Sequence, residues 1–554
     1  VIIDYLWESV PSDHEVDLCI VGAGAAGIAI AQSFIGTTFS ICVLESGGLA
    51  GEEKSQALYE GASVGMLPFD AGSSRMRVFG GSCNLWGGGC ITLSRQDLGQ
   101  REWVPHSGWP LSYDELEPYY ERARSFCHIE SHGFSDGSFR GQPARAPIAF
   151  DTAKLVNQIF ARSQALFGAD YRAELEQAHN ITVLLHANLL QLEASATGTS
   201  VREARIGSLD GRRGTIKARH YVLACGGIEN ARLLLLSNSV APTGLGNGHD
   251  RVGRYFMDHP SGKLGSVVTD APDRLTRPYE RNTGKGTSCL FPEIGLSHEA
   301  QRGRRLLSGR VHPFAVEDAI PKGIHALRSF RAALRPAARD EGSLLEARLC
   351  AALKNGPSAG DGMLASTESI NLLAWRVGLG VGDIAQAFAQ KLAGKPAVKT
   401  QRVDLVGFFE QAPNPDSRIT LGSERDALGQ RKVCVDWRLT ALDRHTYRTA
   451  AALFGKELAQ ACDGKLQLEP WLDGDDSTLP EVHGTAHHLG TTRMSDDPRQ
   501  GVVDRQCRVH GLDNLHIAGS SVFPTGGWAF PTFTVIALSL RLADHLRTLL
   551  TDAI

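Results

Sequence analysis

No stretch of the 554 residues stays apolar for the roughly 18 positions that a membrane-crossing helix needs, so none is expected to span a bilayer. Cysteine pairs at CxxC spacing are missing as well. The 11 cysteines are odd in number and scattered, which argues against a zinc site or a disulfide framework, and no metal is expected. An excess of one charge is also absent. With 57 Lys and Arg against 61 Asp and Glu, the formal net charge is −4, which gives no electrostatic reason to expect nucleic acid. There is no internal repeat and no low-complexity tract. The opening Val1-Ile2-Ile3-Asp4 has no leader signature. A reducing, cytoplasmic compartment is therefore the expectation, with export of a trimmed precursor left open.

What is present suits a globular enzyme. Apolar residues make up 42% and charged residues 21%, and the length predicts two to four domains at roughly 100–200 residues each. The 60 glycines predict many tight turns and close backbone approaches. Val16-Asp17-Leu18-Cys19-Ile20-Val21 reads as a buried strand, residues 25–35 as a helix and 39–44 as a second strand, together a βαβ unit. Between the first strand and the helix lies Gly22-Ala23-Gly24-Ala25-Ala26-Gly27, a GxGxxG loop. The first glycine permits the tight turn, the second admits a pyrophosphate to the backbone, and the third lets helix and strand pack closely. The helix N-terminus offers free N–H groups and a partial positive charge to phosphates. Glu45 ends the second strand, placed to accept hydrogen bonds from ribose hydroxyls, with Ser46 beside it. A GxGxxG alone is weak evidence; with both strands, the helix and the acid in place it predicts a dinucleotide site. The motif does not choose between FAD and NAD.

Further along, residues 50–110 read as long loops. Helices are predicted over 112–128, capped by Ser112, and over 152–166. Strands are predicted at 181–185, 189–192 and 215–224, followed by a helix over 229–236. Residues 260–475 change character, with strand-like pieces such as 403–411 around a helical stretch at 322–395. A strand at 515–518 and a helix at 532–550 close the chain. The fold class is α/β: a Rossmann-type domain from 14–260 and 481–554, interleaved with an α+β substrate domain at 261–480.

Several blocks carry a resemblance to a known family. They are Asp17 to Gly48; Arg75-Met76-Arg77-Val78-Phe79-Gly80-Gly81-Ser82-Cys83-Asn84-Leu85-Trp86-Gly87-Gly88; Val222 to Leu236; Val252-Gly253-Arg254-Tyr255-Phe256-Met257-Asp258-His259-Pro260; Glu410 to Arg418; and His487 to Ala543. In these the chain resembles the glucose–methanol–choline (GMC) oxidoreductases, most nearly their pyranose-oxidase and cholesterol-oxidase side. The resemblance implies FAD and oxidation of an alcohol. Some relatives attach the flavin to a histidine in the second block. Leu85 stands there here, so the FAD is expected to be noncovalent. The resemblance further implies that Gly80, Gly81, Ser82, Asn84, Trp86 and Gly87 lie along the flavin, and that Asn188 and Ala224 lie beside the dinucleotide. Gly519 and Ser520 are expected near the pyrophosphate and ribityl chain. Pro531 and Thr532 would open a helix whose N–H groups stabilise negative charge on the ring.

His487 aligns with the family's catalytic histidine in H-x-x-G-T. A neutral imidazole suits removal of a hydroxyl proton because its pKa lies near the operating pH. An isolated histidine in a loop is usually structural; the resemblance reverses that reading for His487. His483 and His488 are its close competitors. His488 is counted with the substrate pocket and expected to point away from the flavin. His259 and His510 are read as structural.

One position departs from the family. Trp528-Ala529-Phe530-Pro531-Thr532 puts Phe530 where relatives carry a second polar residue, and a phenyl ring cannot hydrogen-bond a substrate oxygen. Phe530 and Trp528 are assigned to the substrate pocket as an apolar wall, with plain core packing the even alternative for Trp528. The departure leaves two other readings open: non-redox or light-driven chemistry, such as a lyase or decarboxylase, and a degenerate FAD-binding protein. The expected partner is a small alcohol, sugar-like or apolar, and reoxidation by oxygen or by an acceptor protein stays open. Residues 322–354 are rich in Lys and Arg among Leu, Ala and Phe. They read as a solvated lid helix, with contact to a membrane surface as the alternative.

Overall fold

The computed structural model describes residues 1–7, 11–129, 147–280, 289–317, 322–333, 379, 381–392, 400–474 and 479–552. Two large sheets organise them. In the first, Ile2–Asp4, Ile181–Leu185, Ile41–Leu44, Asp13–Val21 and Arg213–Leu223 lie side by side and run parallel. Their apolar runs are continuous because both faces are covered: Leu18, Cys19, Ile20, Val43 and Leu44 are all buried. Val201–Gly207 and Asn188–Ala194 extend this sheet in antiparallel pairing. Leu515–Ile517 pairs in parallel with the end of Arg213–Leu223, so the last part of the chain returns to the first sheet.

The helix Ala25–Gln32 is built from small residues and buries seven of its eight, which lets it lie close to the strands. Pro531–Asp552 packs on it and on Tyr113–Phe126, where Phe533 stacks on Tyr120 at 5.5 Å and Thr534 meets the Tyr120 hydroxyl at 3.0 Å. Ser112 caps Tyr113–Phe126 as expected, in a box with Glu115.

The second sheet is antiparallel. Its order is Lys465–Leu468, Ser261–Val268, Thr400–Phe409, Gly309–Glu317, Cys289–Leu296, Leu155–Arg162 and Gly89–Cys90. A 21-residue helix, Ala441–Ala461, covers it and starts in a capping box of Thr440 and Asp443. Phe409, Tyr447, Phe454 and Trp437 are at the centre of this second core.

Two expectations need correction here. Residues 152–166 are not a helix: Leu155–Arg162 is a strand paired along its length with Cys289–Leu296. Tertiary pairing of a Val-, Ile- and Phe-bearing segment overrides the helical reading. The region 260–475 holds more regular structure than expected, four of the seven strands of the second sheet besides Lys465–Leu468, and the long Ala441–Ala461 helix. Of the predicted helical stretch 322–395, Lys322–Ala333 and Val381–Leu392 are helices. Apart from residue 379, the rest of it, and with it most of the basic segment 322–354, lies outside the described residues. Among the described residues no helix is long and apolar enough to cross a membrane.

Candidate active site

The carboxyl ends of the parallel strands, marked by Val21, Leu44 and Ala224, open onto a cavity of about 810 Å³. This is where ligands lie in open α/β sheets. The second sheet closes its far side with Phe160, Phe291, Glu293 and Arg310.

The GxGxxG loop forms one wall, and its glycines divide the work as their chemistry requires. Gly22 has φ +103°, and a Cβ there would meet the Ala224 carbonyl at 2.7 Å. A Cβ on Gly27 would lie 1.9 Å from the Gly22 carbonyl oxygen, so helix and strand can touch only without a side chain. Gly27 is thus a packing position behind the cavity. Gly24, Ala25 and Ala26 line it, and a Cβ on Gly24 would meet no protein atom within 4 Å. No side chain caps Ala25–Gln32, which leaves the N–H groups of its first turn for a ligand.

Glu45 and Ser46 also line the cavity. The Glu45 carboxylate accepts the N–H groups of Ala23 at 3.1 Å and Gly47 at 2.8 Å, and burial pushes its pKa up. It therefore fixes the loop as well as facing the ligand space. Asn188 sits beyond it, accepting from Arg77 Nη1 at 3.2 Å.

The second block continues the lining beside the loop through Gly81, Ser82, Asn84, Leu85, Trp86 and Gly87. Gly80 does not line the cavity, against expectation, because its N–H is used to bind the Ala23 carbonyl at 2.8 Å. That bond and the approach of Gly81 to Gly24 staple the block to the loop. Gly519, Ser520, Pro531 and Thr532 line the cavity from the closing segment.

His487 reaches the cavity beside Phe530. Its backbone N–H donates to Asp258 Oδ1 at 2.9 Å, and the same oxygen accepts the N–H groups of His259 at 2.7 Å and Thr485 at 3.2 Å. One carboxylate thereby fixes both histidines. The ring Nδ1 of His487 lies 3.0 Å from His259 Nδ1 and 3.0 Å from Thr485 Oγ1. His259 Nε2 lies 2.8 Å from the Gly527 carbonyl, which can only accept, so the His259 proton is on Nε2. Burial pulls the pKa of His259 down to about 4. Burial, then the neighbouring His259, His488 and Arg310, hold His487 well below its usual range. Both rings are neutral at physiological pH, His259 Nδ1 is an acceptor, and His487 Nδ1 carries the proton. Among the described residues His487 Nε2 has no hydrogen-bond partner, so a bare lone pair remains for the cavity.

Two further placements differ from the sequence reading. His259 is not a merely structural turn residue; it orients His487. Its position within Asp258-His259-Pro260 was visible, but nothing local tells which ring it will meet 228 residues away. Trp528 does not line the cavity. It is 5% exposed and belongs to the hydrophobic core, its ring 5.6 Å from the Arg310 guanidinium. His488 does line the cavity, at the Arg75 side, packed on Phe69 and Phe256. His483 pairs through its backbone with Ser261, and His510 binds the Ser495 carbonyl at 2.8 Å.

A family model described as GMC oxidoreductase matches residues 413–539. The chain is 23% identical to 6'''-hydroxyparomomycin C oxidase of Streptomyces lividus and 22% identical to paromamine 6'-oxidase of Streptomyces fradiae; each alignment covers 97% of this chain and 92% of the relative. A crystal structure of formate oxidase superposes with a TM-score of 0.55 at 16% identity, over 98% of this chain and 100% of that one. Residues 413–539 thus match the GMC oxidoreductase model, and the chain as a whole is similar to oxidases over nearly its full length. The likeness to formate oxidase shows a shared two-part α/β fold, and the matching model is one of oxidoreductases.

The residues lining the cavity fit the FAD that the sequence resemblance implies. The cavity is long enough to run from Asn188 past Gly24 to His487, and it has side-chain-free backbone where a pyrophosphate must approach. Buried polar atoms lacking any partner among the described residues also line it: Ser74 Oγ, Arg77 Nε and His488 Nε2. Such atoms are costly unless a polar ligand meets them.

Proposed function

We propose that this chain oxidises an alcohol CH–OH to a carbonyl, with His487 as general base and FAD held noncovalently. The observation that carries the reading is the imidazole relay: Gly527 fixes His259, His259 and Thr485 hold the His487 Nδ1–H, and His487 Nε2 is left as a free acceptor at the cavity. The bound FAD supplies an acceptor for the two electrons that leave the alcohol carbon as hydride. Everything else is work for the protein. His487 Nε2 takes the hydroxyl proton as the C–H bond breaks, and general-base help of this kind is worth about 10²–10⁴ in rate. Asp258 keeps the base in place through the three N–H groups it accepts. Its carboxyl, pushed up to about 6 by burial, is ionised at neutral pH and favours the imidazolium that forms. Phe160, Phe291 and Phe530 enclose the substrate end and exclude water. They favour an alcohol with an apolar face, while the Streptomyces relatives are named for 6'''-hydroxyparomomycin C and paromamine.

Two side chains of the second block support noncovalent attachment. Leu85 has no nucleophile, and burial pushes the Cys83 thiol up to about 12, so it stays protonated and unreactive. Anaerobic mixing with a panel of alcohols tests the proposal. Native protein should bleach with at least one of them, and His487→Ala should keep its yellow flavin but bleach about 10²–10⁴ more slowly. Native protein that bleaches with no alcohol, or a His487→Ala variant that bleaches at the native rate, refutes it.

A further inference from the structure

Phe530 removes a polar contact from the place where the sequence resemblance expects one, yet the same wall of the cavity carries a buried cation. Arg310 stands on the strand Gly309–Glu317 and lines the cavity together with His487. Its guanidinium lies 4.2 Å from the centre of the Phe408 ring and 4.9 Å from that of Phe530. The His487 ring packs edge-on against the same two rings, at 5.8 and 5.9 Å. Arginine and histidine therefore share one aromatic corner. Glu293 on the adjoining strand anchors Arg310 through Nη1 at 2.9 Å, and its other oxygen meets His312 Nδ1 at 3.3 Å. Arg310 and Glu293 are both buried. A buried ion pair facing a ligand cavity is expensive to maintain unless the ligand uses it.

We infer that Arg310, anchored by Glu293, supplies the positive charge that steadies the substrate oxygen while His487 removes its proton. The inference rests on the proposed alcohol oxidation and assigns the role that Phe530 cannot play. The proton goes from the hydroxyl to His487 Nε2, and Arg310 keeps its own throughout. The aromatic rings raise the value of this charge, because their faces attract the guanidinium and keep water away from it. Arg310 is also one of the charges that hold His487 in its neutral, proton-accepting form, after burial and the two neighbouring histidines.

The test uses flavin-loaded enzyme and two readouts. The first is binding of acetate, followed by the flavin absorbance change that it causes. Arg310→Gln should weaken acetate at least about tenfold, and Glu293→Gln, which releases the arginine from its partner, should tighten it; Arg310→Lys should fall between native and Arg310→Gln. The second is anaerobic bleaching by the best alcohol, which Arg310→Gln should slow by about 10²–10³ and Arg310→Lys should partly restore. A merely structural ion pair would make the Gln variants at 310 and 293 lose acetate affinity together, and that result overturns the inference. So does native bleaching in Arg310→Gln. Should Arg310→Gln fail to fold, tighter acetate binding by Glu293→Gln supports the inference and unchanged or weaker binding overturns it. The acetate readout needs no substrate, so its failure is distinguishable from failure of the alcohol reading itself, which the native protein's bleaching decides.

Discussion

Gly24→Ala separates the roles of Gly24 and Gly27, two glycines three residues apart in one loop. Gly24 has φ −82° and ψ −172°, an extended conformation that alanine adopts without strain. Its added Cβ would meet no protein atom within 4 Å. Loss of a glycine at the helix cap and loss of chain entropy in the unfolded state work in opposite directions, each at about 0.5–1 kcal/mol. The apo protein should therefore melt almost unchanged. The flavin-bound protein should not. A methyl group in the space where the pyrophosphate approaches the backbone should weaken FAD at least about tenfold, or about 1.4 kcal/mol. At FAD near 100 times the native Kd, ligand stabilisation is about 2.7 kcal/mol, and a tenfold weaker site retains about 1.4. Gly27→Ala is the control. Its Cβ would collide with the Gly22 carbonyl oxygen at 1.9 Å, so overpacking of about 1–3 kcal/mol should lower the apo melt as well. The assay is thermal melting with and without FAD, together with the flavin-to-protein absorbance ratio. Gly24→Ala that binds FAD as tightly as native protein, or that loses apo stability as Gly27→Ala does, refutes this account of the loop.

Two further outcomes are expected. Acid precipitation should release all the yellow colour to the supernatant; flavin retained in the pellet would contradict noncovalent attachment. His516→Phe should stabilise the protein, by about 1 kcal/mol at neutral pH, since both ring nitrogens of this fully buried histidine lack a partner among the described residues. The gain should grow on acidification. Burial holds the His516 pKa well below its unfolded value near 6.5, so the unfolded chain takes the proton first and native stability is lost as pH falls below that value. His259 and His488, lowered to about 4 and about 3, act in the same direction, while Asp258 and Asp443, raised to about 6, act in the other. Urea midpoints at pH 7.5 and 5.5 check this; an equal difference between native and His516→Phe at both would refute it.

The parts legible in the sequence are those whose signal is local. A βαβ unit with GxGxxG requires only contiguous residues, and Gly22, Gly24, Gly27 and Glu45 all take positions that their chemistry dictates. Ser112 and Glu115 announce a helix start three residues apart. The strand Leu155–Arg162 was not legible, because what makes it a strand is Cys289–Leu296, more than a hundred residues later. Gly80 misled for a related reason: its N–H is taken by Ala23, a partner from another block.

The same limit explains why Phe530 looked like a defect. Read along the chain, it deletes a polar group and leaves the substrate oxygen with His487 alone. In space, the phenyl ring is one wall of a corner that also holds Phe408, His487 and Arg310. A polar side chain at 530 would have to compete with Glu293 for that guanidinium or leave its own dipole unpaired in an aromatic setting. A phenyl ring does neither, and its face attracts the cation. The substitution is therefore consistent with an intact enzyme whose charge comes from the second sheet, and it gives no support to a degenerate flavin carrier. A degenerate site would have no reason to keep Arg310 and Glu293 buried at the edge of its cavity, where an unused ion pair costs stability that apolar side chains of similar volume would not.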